Sequence, residues 1–525
     1  MTIMVTQATG STLARLAEAA WERTGAQTEL WFEGVQHQGI DLAARTRRLA
    51  GGLRAAGVAP GDRVAVLMAN CPEVGITYQA VWRAGAAATP VIFLVREDEL
   101  RHVLADSEAR FVVTTAEFLP RIASVAGALP QLRGIVVVGD PATASCPVPI
   151  LPFADLESAE ESPVVDRDPG DLAALLYTGG TTGRAKGVML SHEALSAAAW
   201  AATATTYVED QRIVLVPLPL SHVYGLMISV MSLHTPFPGI TVLMRWFDPA
   251  GWVSLAERHR VQVGAVVPSM LGILLGQPLE DADLSALRRV SSGGAPLSRE
   301  IADAFVARLP QVEVTEGYGC TETAAIIATS PAGRARPGSV GIPAPGVDLR
   351  IIRSADGNIA DPGEDAEICV RGPMLMSGYW RSPEETAVAL RDGWLHTGDI
   401  GHVDSDGYLY VVDRIKDLII RGGFNVYPRD VEDVLLGHPD VVAAAVVGRP
   451  DATYGEEVVA FVQLRPGSTT VAQALIEHAR EHLSATKYPR EVHLVDAIPL
   501  TSVGKTNRKD LRALLRASTV PSQDG

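Results

Sequence analysis

The stretch LLYTGGTTGRAKGVMLSH, Leu175 to His192, constrains this chain more than any other. Its ten residues from Thr178 to Gly187 hold four glycines, three threonines and a lysine. Glycine loses more backbone freedom on folding than any other residue, so such a crowd needs a physical reason. Successive glycines let backbone N–H groups converge on a concave anion nest. Thr178, Thr181 and Thr182 add hydroxyl donors to the backbone groups of Gly179, Gly180 and Gly183, and Lys186 adds a charge. Such a loop grips phosphates without large side chains, whereas a plain turn needs one or two glycines and no lysine. No G-x-x-x-x-G-K-[ST] can be threaded through it, so it is not a Walker A loop. The apolar run from Leu172 to Tyr177 predicts a strand leading in, and Gly187 to Leu190 a strand leading out. Ser191 is positioned to cap a helix running through Ala204.

The flanking sequence sets the architecture. At 525 residues the chain is long enough for two or three domains. Its first third alternates helix and strand patterns. STLARLAEAAWERT is amphipathic with Ser11 as the expected cap, RVAVLMAN is strand-like, and CPEVGITYQAVWRAG is helical. TPVIF is strand-like, REDELRHVLADSE helical and RFVVTT strand-like. Such alternation predicts parallel sheets covered by helices. Pro141 to Pro163 reads as a surface connection. No internal repeat interrupts the pattern. After about Asp413 the character changes to a small α+β pattern built on VVAAAVVG, EVVAFVQL, the helix VAQALIEHAREHL and EVHLVD. The expected fold is therefore α/β, with a large N-terminal domain of helix-covered sheets and a small mobile α+β C-terminal domain.

A net charge of −16 argues against nucleic acid or an anionic membrane as the main partner. A local basic pocket for a phosphate ligand stays compatible with it. Cys71, Cys146, Cys320 and Cys369 are far apart, with no zinc spacing, and predict reduced thiols in a cytoplasmic protein. The first residues, MTIMVTQATGST, lack a basic-then-apolar signal. The most apolar stretch, Val261 to Gly276, contains Gln262 and Pro268 and is too short to span a bilayer.

Further motifs follow the loop: PLSHVYG (219–225), SSGGAPLS (291–298), EGYGCTET (316–323), GWLHTGDIG (393–401), DRIKDLIIRGGFNVYPRDVE (413–432) and PLTSVGKTNR (499–508). Together with the loop, and in this order, they resemble the adenylate-forming enzymes: acyl-CoA synthetases, adenylation domains of peptide synthetases and firefly-type luciferases. The loop is similar to that family's Y-T-S-G-T-T-G-x-P-K-G signature, with Gly179 in place of serine and Ala185 in place of proline. The resemblance covers nearly the whole chain. It implies residues 1–413 as an ATP- and acyl-binding domain, 414–416 as a hinge, and 417–525 as a lid domain carrying a catalytic lysine.

The implied chemistry is two half-reactions. A carboxylate attacks the α-phosphate of ATP, and a thiol then displaces AMP. The resemblance implies that the loop holds the β- and γ-phosphates, that Glu322 binds Mg²⁺ and that Thr321 touches the α-phosphate. It implies that Tyr318 stacks on adenine beside Glu316, Gly317 and Gly319, with Gly294, Ala295 and Pro296 walling the other side. Asp399 and Arg414 take the ribose. Lys505 stabilises charge developing at the α-phosphate. His222, Tyr224, Gly225, Met227, Ile228, Gly293 and Gly319 line the acyl pocket. Lys416 is the hinge, and Gly422 and Gly423 leave room for the pantetheine arm of coenzyme A. The apolar stretches VYGLMISVM and VGAVVPSML favour a hydrophobic monocarboxylic acid, fatty or aryl. Alternatives are an acyl-AMP ligase loading a separate carrier protein, and a non-catalytic nucleotide-binding member of the fold. A homodimer is compatible with the sequence.

Overall fold

The computed structural model describes residues 10–141, 146–178, 184–353, 357–500 and 506–518, with side chains to 515. The chain divides into two compact units. The larger comprises Met1–Leu297, Ile301–Leu349 and Val370–Leu395; the smaller comprises Ser298–Glu300, Arg350–Cys369 and His396–Gly525. The packing division therefore does not coincide with residues 414–416. It includes 396–413 with the smaller unit.

The larger unit is α/β, as expected. Among its described residues, one sheet has the strand order Gly378–Tyr379, Lys186–Ser191, Leu172–Thr178, Ala87–Pro90, Arg63–Leu67, Phe111–Thr115, Gly134–Val138, Ile150–Pro152. A second runs Ile342–Pro343, Ala328–Thr329, Glu313–Tyr318, Arg289–Gly293, Val263–Val266, Ile213–Val216, Ile240–Leu243, Glu29–Phe32, Val35–Gln38. The central pairings of both are parallel. Phe111–Thr115 is buried at every position, which is why it reads as a continuous rather than an alternating apolar run. The helix Pro72–Arg83 opens on a proline, whose missing N–H costs nothing in the first turn. Its Trp82 indole donates to the Ala173 carbonyl at 2.8 Å, tying the helix to the strand that leads into the glycine-rich loop.

Three local expectations shift. Helix Leu13–Thr24 is preceded by Thr12 at the N-cap, without a side-chain cap, and the Ser11 hydroxyl instead donates to the Thr12 carbonyl. The strand expected at TPVIF is Ala87–Pro90, because parallel register with Arg63–Leu67 selects the small residues upstream. Within 141–163, Ile150–Pro152 adds to the sheet edge, where a proline is tolerated, and Phe153 and Leu156 of the following helix are buried.

The smaller unit is α+β. Val441–Asp451 and Gly455–Leu464 pair antiparallel, with Glu491–Leu494 parallel to the latter. Successive side chains on these strands point to opposite faces. Val446, Val458, Ala460 and Val462 pack with Val431, Leu435, Leu475 and Ala479 of two helices. Ala445, Val447, Val459 and Phe461 pack with Leu511 and Leu515 of a third. Both faces are covered, which accounts for two unbroken apolar runs in the sequence.

Candidate active site

In the larger unit, Leu172–Thr178 and Lys186–Ser191 form an antiparallel hairpin that pairs Thr178 with Lys186. Gly179, Gly180, Thr181, Thr182 and Gly183, between Thr178 and Lys186 in the sequence, lie outside the described residues. Ser191 caps the helix His192–Thr206 as expected, accepting from the Ala194 N–H at 3.0 Å. The outer neighbour of Lys186–Ser191 is the short strand Gly378–Tyr379. Tyr379 lies where two expected residues converge. Its hydroxyl donates to Glu322 Oε1 at 2.9 Å, and its ring sits 5.3 Å from the Lys186 ammonium. Lys186 also pairs with Glu385 at 2.6 Å. Burial, then the Glu322 charge, pushes the Tyr379 phenol well above its ordinary range, so it stays a neutral donor.

Glu322 sits in the 3₁₀ turn Thr321–Thr323. The turn is fixed at both ends. The Thr323 hydroxyl donates to the Cys320 carbonyl at 3.1 Å and accepts from the Cys320 N–H at 3.1 Å, and the Met376 N–H donates to the Glu322 carbonyl at 2.8 Å. Ala324 and Ala325 follow with φ of 48° and 85°. A side chain on Gly319 would place its Cβ 2.2 Å from the Ala325 carbonyl oxygen, so only glycine fits there.

The strands Arg289–Gly293 and Glu313–Tyr318 are parallel, with Ser292 opposite Glu316 and Gly293 opposite Gly317. Their C-terminal ends bring Gly294, Ala295 and Pro296 beside Tyr318 and Gly319, the end of a parallel sheet at which ligands bind. His222 caps the helix Val223–His234, its Nδ1 accepting from the Tyr224 N–H at 3.3 Å. Gly225 packs against the Pro219 carbonyl, 2.2 Å from where a Cβ would be. Tyr224 lies against Gly293, Met227 is buried and Ile228 half-buried. The segment before His222 is held by Asn70, whose amide donates to the carbonyls of Leu218 (2.8 Å) and Met244 (2.9 Å) and accepts from the Leu220 N–H (2.8 Å).

In the smaller unit Asp399 is paired in register with Arg414. Asp399 is only 5% exposed and takes an ion pair from Arg414 Nε at 3.0 Å. The turn before Asp399 is braced: Glu367 accepts from His396 Nδ1 at 2.9 Å and from the Gly398 N–H at 3.3 Å. The Thr397 hydroxyl donates to the Ile368 carbonyl at 2.7 Å and accepts from the Asp399 N–H at 3.1 Å. Glu367, Cys369 and His396 also offer metal-ligand atoms within 4.8 Å of one another. Both contacts, however, fall on the same Nδ1, with Cys369 Sγ at 3.3 Å, and the hydrogen-bonded brace accounts for the cluster. Lys416 is exposed, between the buried carboxylates of Asp413 and Asp417. Asp413 accepts from the Arg429 N–H at 3.0 Å and Asp417 pairs with Arg512 at 2.9 Å. Gly422 and Gly423, at φ of 58° and 81°, form the two-residue turn between Ile419–Arg421 and Phe424–Val426. A hairpin of this kind needs positive φ at both residues, so turn geometry alone explains the glycines. Lys505 lies outside the described residues.

Glu322 is a carboxylate, the ligand that Mg²⁺ takes singly or in pairs together with waters and phosphate oxygens, so it fits the expected ion. Tyr379, Glu385, Asn70 and Glu367 were not foreseen. Tyr379 lies 57 residues from Glu322, and no local period or spacing links them.

A family model described as AMP-binding enzyme matches residues 17–380, and one described as AMP-binding enzyme C-terminal domain matches residues 430–505. The chain is 38% identical to a feruloyl-CoA synthase of Amycolatopsis sp over 94% of this chain and 98% of that protein. It is 35% identical to a long-chain-fatty-acid–CoA ligase of Bacillus subtilis over 92% and 91%. Among solved structures, the amide bond synthetase McbA of Marinactinospora thermotolerans matches with a TM-score of 0.85 at 33% identity, covering 96% of this chain and 99% of that one.

Proposed function

Because the chain belongs to the AMP-binding enzyme family of adenylate-forming ligases, we propose that it is an ATP-dependent carboxylic acid–CoA ligase working through an acyl-AMP intermediate on a hydrophobic acid. One observation carries this reading furthest: a single three-strand junction gathers Thr178, Lys186 and, through Tyr379, Glu322. In the first half-reaction two anions meet, the carboxylate and the triphosphate, so their charge must be offset and the groups held in line. The 178–186 loop and Lys186 grip the β- and γ-phosphates. Glu322 would hold Mg²⁺, which supplies further charge neutralisation at the phosphates. Thr321 contacts the α-phosphate, Tyr318 stacks on adenine, and Asp399, an acceptor-only carboxylate, takes the ribose hydroxyls with Arg414. Lys505 stabilises the charge developing at the α-phosphate. In the second half-reaction the thiol of coenzyme A attacks the acyl carbonyl and AMP leaves. Lys416 is the pivot that exchanges Lys505 for the 422–423 turn.

The test is pyrophosphate release from ATP across a panel of fatty and aryl acids, with and without CoA. Release with a hydrophobic acid, followed by thioester when CoA is added, is the expected result. Adenylate that accumulates and is not discharged by CoA points to a carrier protein as acceptor. No release with any acid leaves a nucleotide-binding protein without ligase activity.

A further inference from the structure

Along Arg289–Gly293 successive side chains point to opposite faces of the sheet. Val290 packs into the core with Trp252, Leu271 and Leu274, so Arg289, Ser291 and Gly293 look the other way. That side holds Tyr224, whose ring is 3.2 Å from where a Gly293 Cβ would sit. The next strand is in register, Arg289 with Glu313, Ser291 with Thr315 and Gly293 with Gly317, and the Ser291 and Thr315 hydroxyls are 2.9 Å apart. This face therefore changes along its length. Glycines lie at the nucleotide end, hydroxyls come next, and an arginine lies deepest. At about 3.3 Å per residue, Arg289 starts about 13 Å below Gly293.

Arg289 is 6% exposed. Its Nη1 donates to the Thr206 carbonyl at 2.7 Å, at the end of helix His192–Thr206. Its Nε is buried with no hydrogen-bond partner among the described residues. Glu313, opposite it in register, accepts instead from the N–H groups of Gly333 (2.9 Å) and Ala335 (3.1 Å). Capping a helix carbonyl needs one N–H, and a guanidinium has five. Burial pushes the Tyr224 phenol up to about 12, with the Arg289 charge opposing it, which places Arg289 within electrostatic reach of the tyrosine that lines the pocket.

We propose that Arg289 is a specificity-determining residue of the acyl pocket. With Ser291 and Thr315 it forms a polar floor that selects carboxylic acids whose far end carries a hydrogen-bond-accepting oxygen over hydrocarbon acids of the same length. The inference rests on the ligase reading above. A site built to hydrogen-bond a substrate group rejects the analogue lacking it, because its own buried donors are then left unpaired. The apolar walls accept the body of the acid, and the floor reads its end.

The experiment uses matched acids, cinnamate against 4-hydroxycinnamate and octanoate against 8-hydroxyoctanoate, with the full-length protein. Specificity constants come from pyrophosphate release, and affinities from calorimetric titration of each acid in the presence of AMP. The parent should prefer the oxygen-bearing member of at least one pair by about 10- to 100-fold, the range for hydrogen bonds to a charged group. Arg289→Met should bring that ratio to within about threefold of unity, mainly by loss on the oxygenated acid, and Arg289→Lys should keep part of it. A parent that treats both members alike, or favours the hydrocarbon, overturns the proposal. So does Arg289→Met lowering both acids by one factor, which would mark a structural role. If Arg289→Met does not fold, Arg289→Lys and Thr315→Val read the same ratio. The titration arm needs no turnover, so a failed ligase reading and a failed floor are distinguishable.

Discussion

Glu322 and Asp399 are two carboxylates held in opposite ways. Glu322, in the larger unit, takes a neutral phenol from Tyr379. Asp399, in the smaller unit, is nearly buried and takes a guanidinium from Arg414. A phenol orients a carboxylate and leaves its charge in place for a cation. A guanidinium cancels that charge and leaves an oriented acceptor, suited to neutral ribose hydroxyls. On the function proposed above, two residues of nearly the same chemistry are prepared for different partners, and each half of that contrast can be broken separately.

The largest effects should fall on the charges nearest the reaction. Lys505→Ala should slow acyl-AMP formation by about 10²- to 10³-fold, the cost of losing one preorganised electrostatic contact, while sparing thioester formation from supplied acyl-AMP. Glu322→Gln should slow the same step and raise the Mg²⁺ concentration needed for half-maximal rate. Equal losses in both half-reactions for Lys505→Ala, measured by single-turnover quench, would remove it from the first step.

The converse split tests the hinge. Lys416→Pro fixes the backbone between Asp413 and Asp417. It should leave acyl-AMP formation intact and cut transfer to CoA by about a hundredfold, the scale set by misplacing a reacting group. A variant that completes both steps at the parent rate would end the two-conformation account. Gly423→Leu is a poorer probe, because φ of 81° penalises any side chain there before a thiol arrives.

Acid should also separate the units. Burial lowers the buried histidines His192 and His234 of the larger unit from 6.5 to about 4. The folded state then favours neutral imidazole. This stability is fully present above 6.5, is lost as pH falls and is gone by about 4, and the drop corresponds to roughly 3 kcal/mol per histidine. All eight tryptophans lie in the larger unit, so tryptophan fluorescence follows its unfolding alone. Its thermal midpoint should fall between pH 7 and 5, and His192→Gln should flatten that slope. A midpoint independent of pH in this window would refute the assignment.

Smaller effects test the two carboxylate partnerships directly. Asp399→Asn should raise KM for ATP by about 10- to 100-fold, since a charged hydrogen bond contributes about 1.5–3 kcal/mol. Tyr379→Phe removes a donor that orients Glu322 without touching the nucleotide, and it should cost less than Asp399→Asn, expressed in the Mg²⁺ dependence. If Tyr379→Phe proved the more damaging, the contrast between orienting and cancelling would be wrong.

Much of this was legible from sequence because it is local. The Ser191 cap and the alternating helix and strand patterns each lie within one or two turns of chain, where period and capping chemistry speak directly. What the sequence did not show is what sheet order brings together. Tyr379 reaches Glu322 only because a two-residue strand pairs beside Lys186–Ser191, and Glu385 meets Lys186 across about 200 residues. No motif or spacing in the sequence singles out Arg289. Its face, set by Val290 pointing into the core, appears only once the neighbouring strand is in register. Ser11 gave way to Thr12 as the residue before the first helix, and neither hydroxyl caps it: the Thr12 side chain is buried and makes no cap hydrogen bond.

Ala324 and Ala325 carry a consequence for anyone hoping to lengthen the protein's shelf life. Two successive non-glycine residues in left-handed backbone each cost on the order of 1 kcal/mol or more, and they sit directly behind the turn that carries Glu322. Glycine at 325 would relieve that tension. It would also free the peptide that abuts Gly319 and slacken the mount of Glu322. Hardiness and turnover pull against each other at this corner of the molecule, and a screen for heat resistance alone would drift toward the slower enzyme.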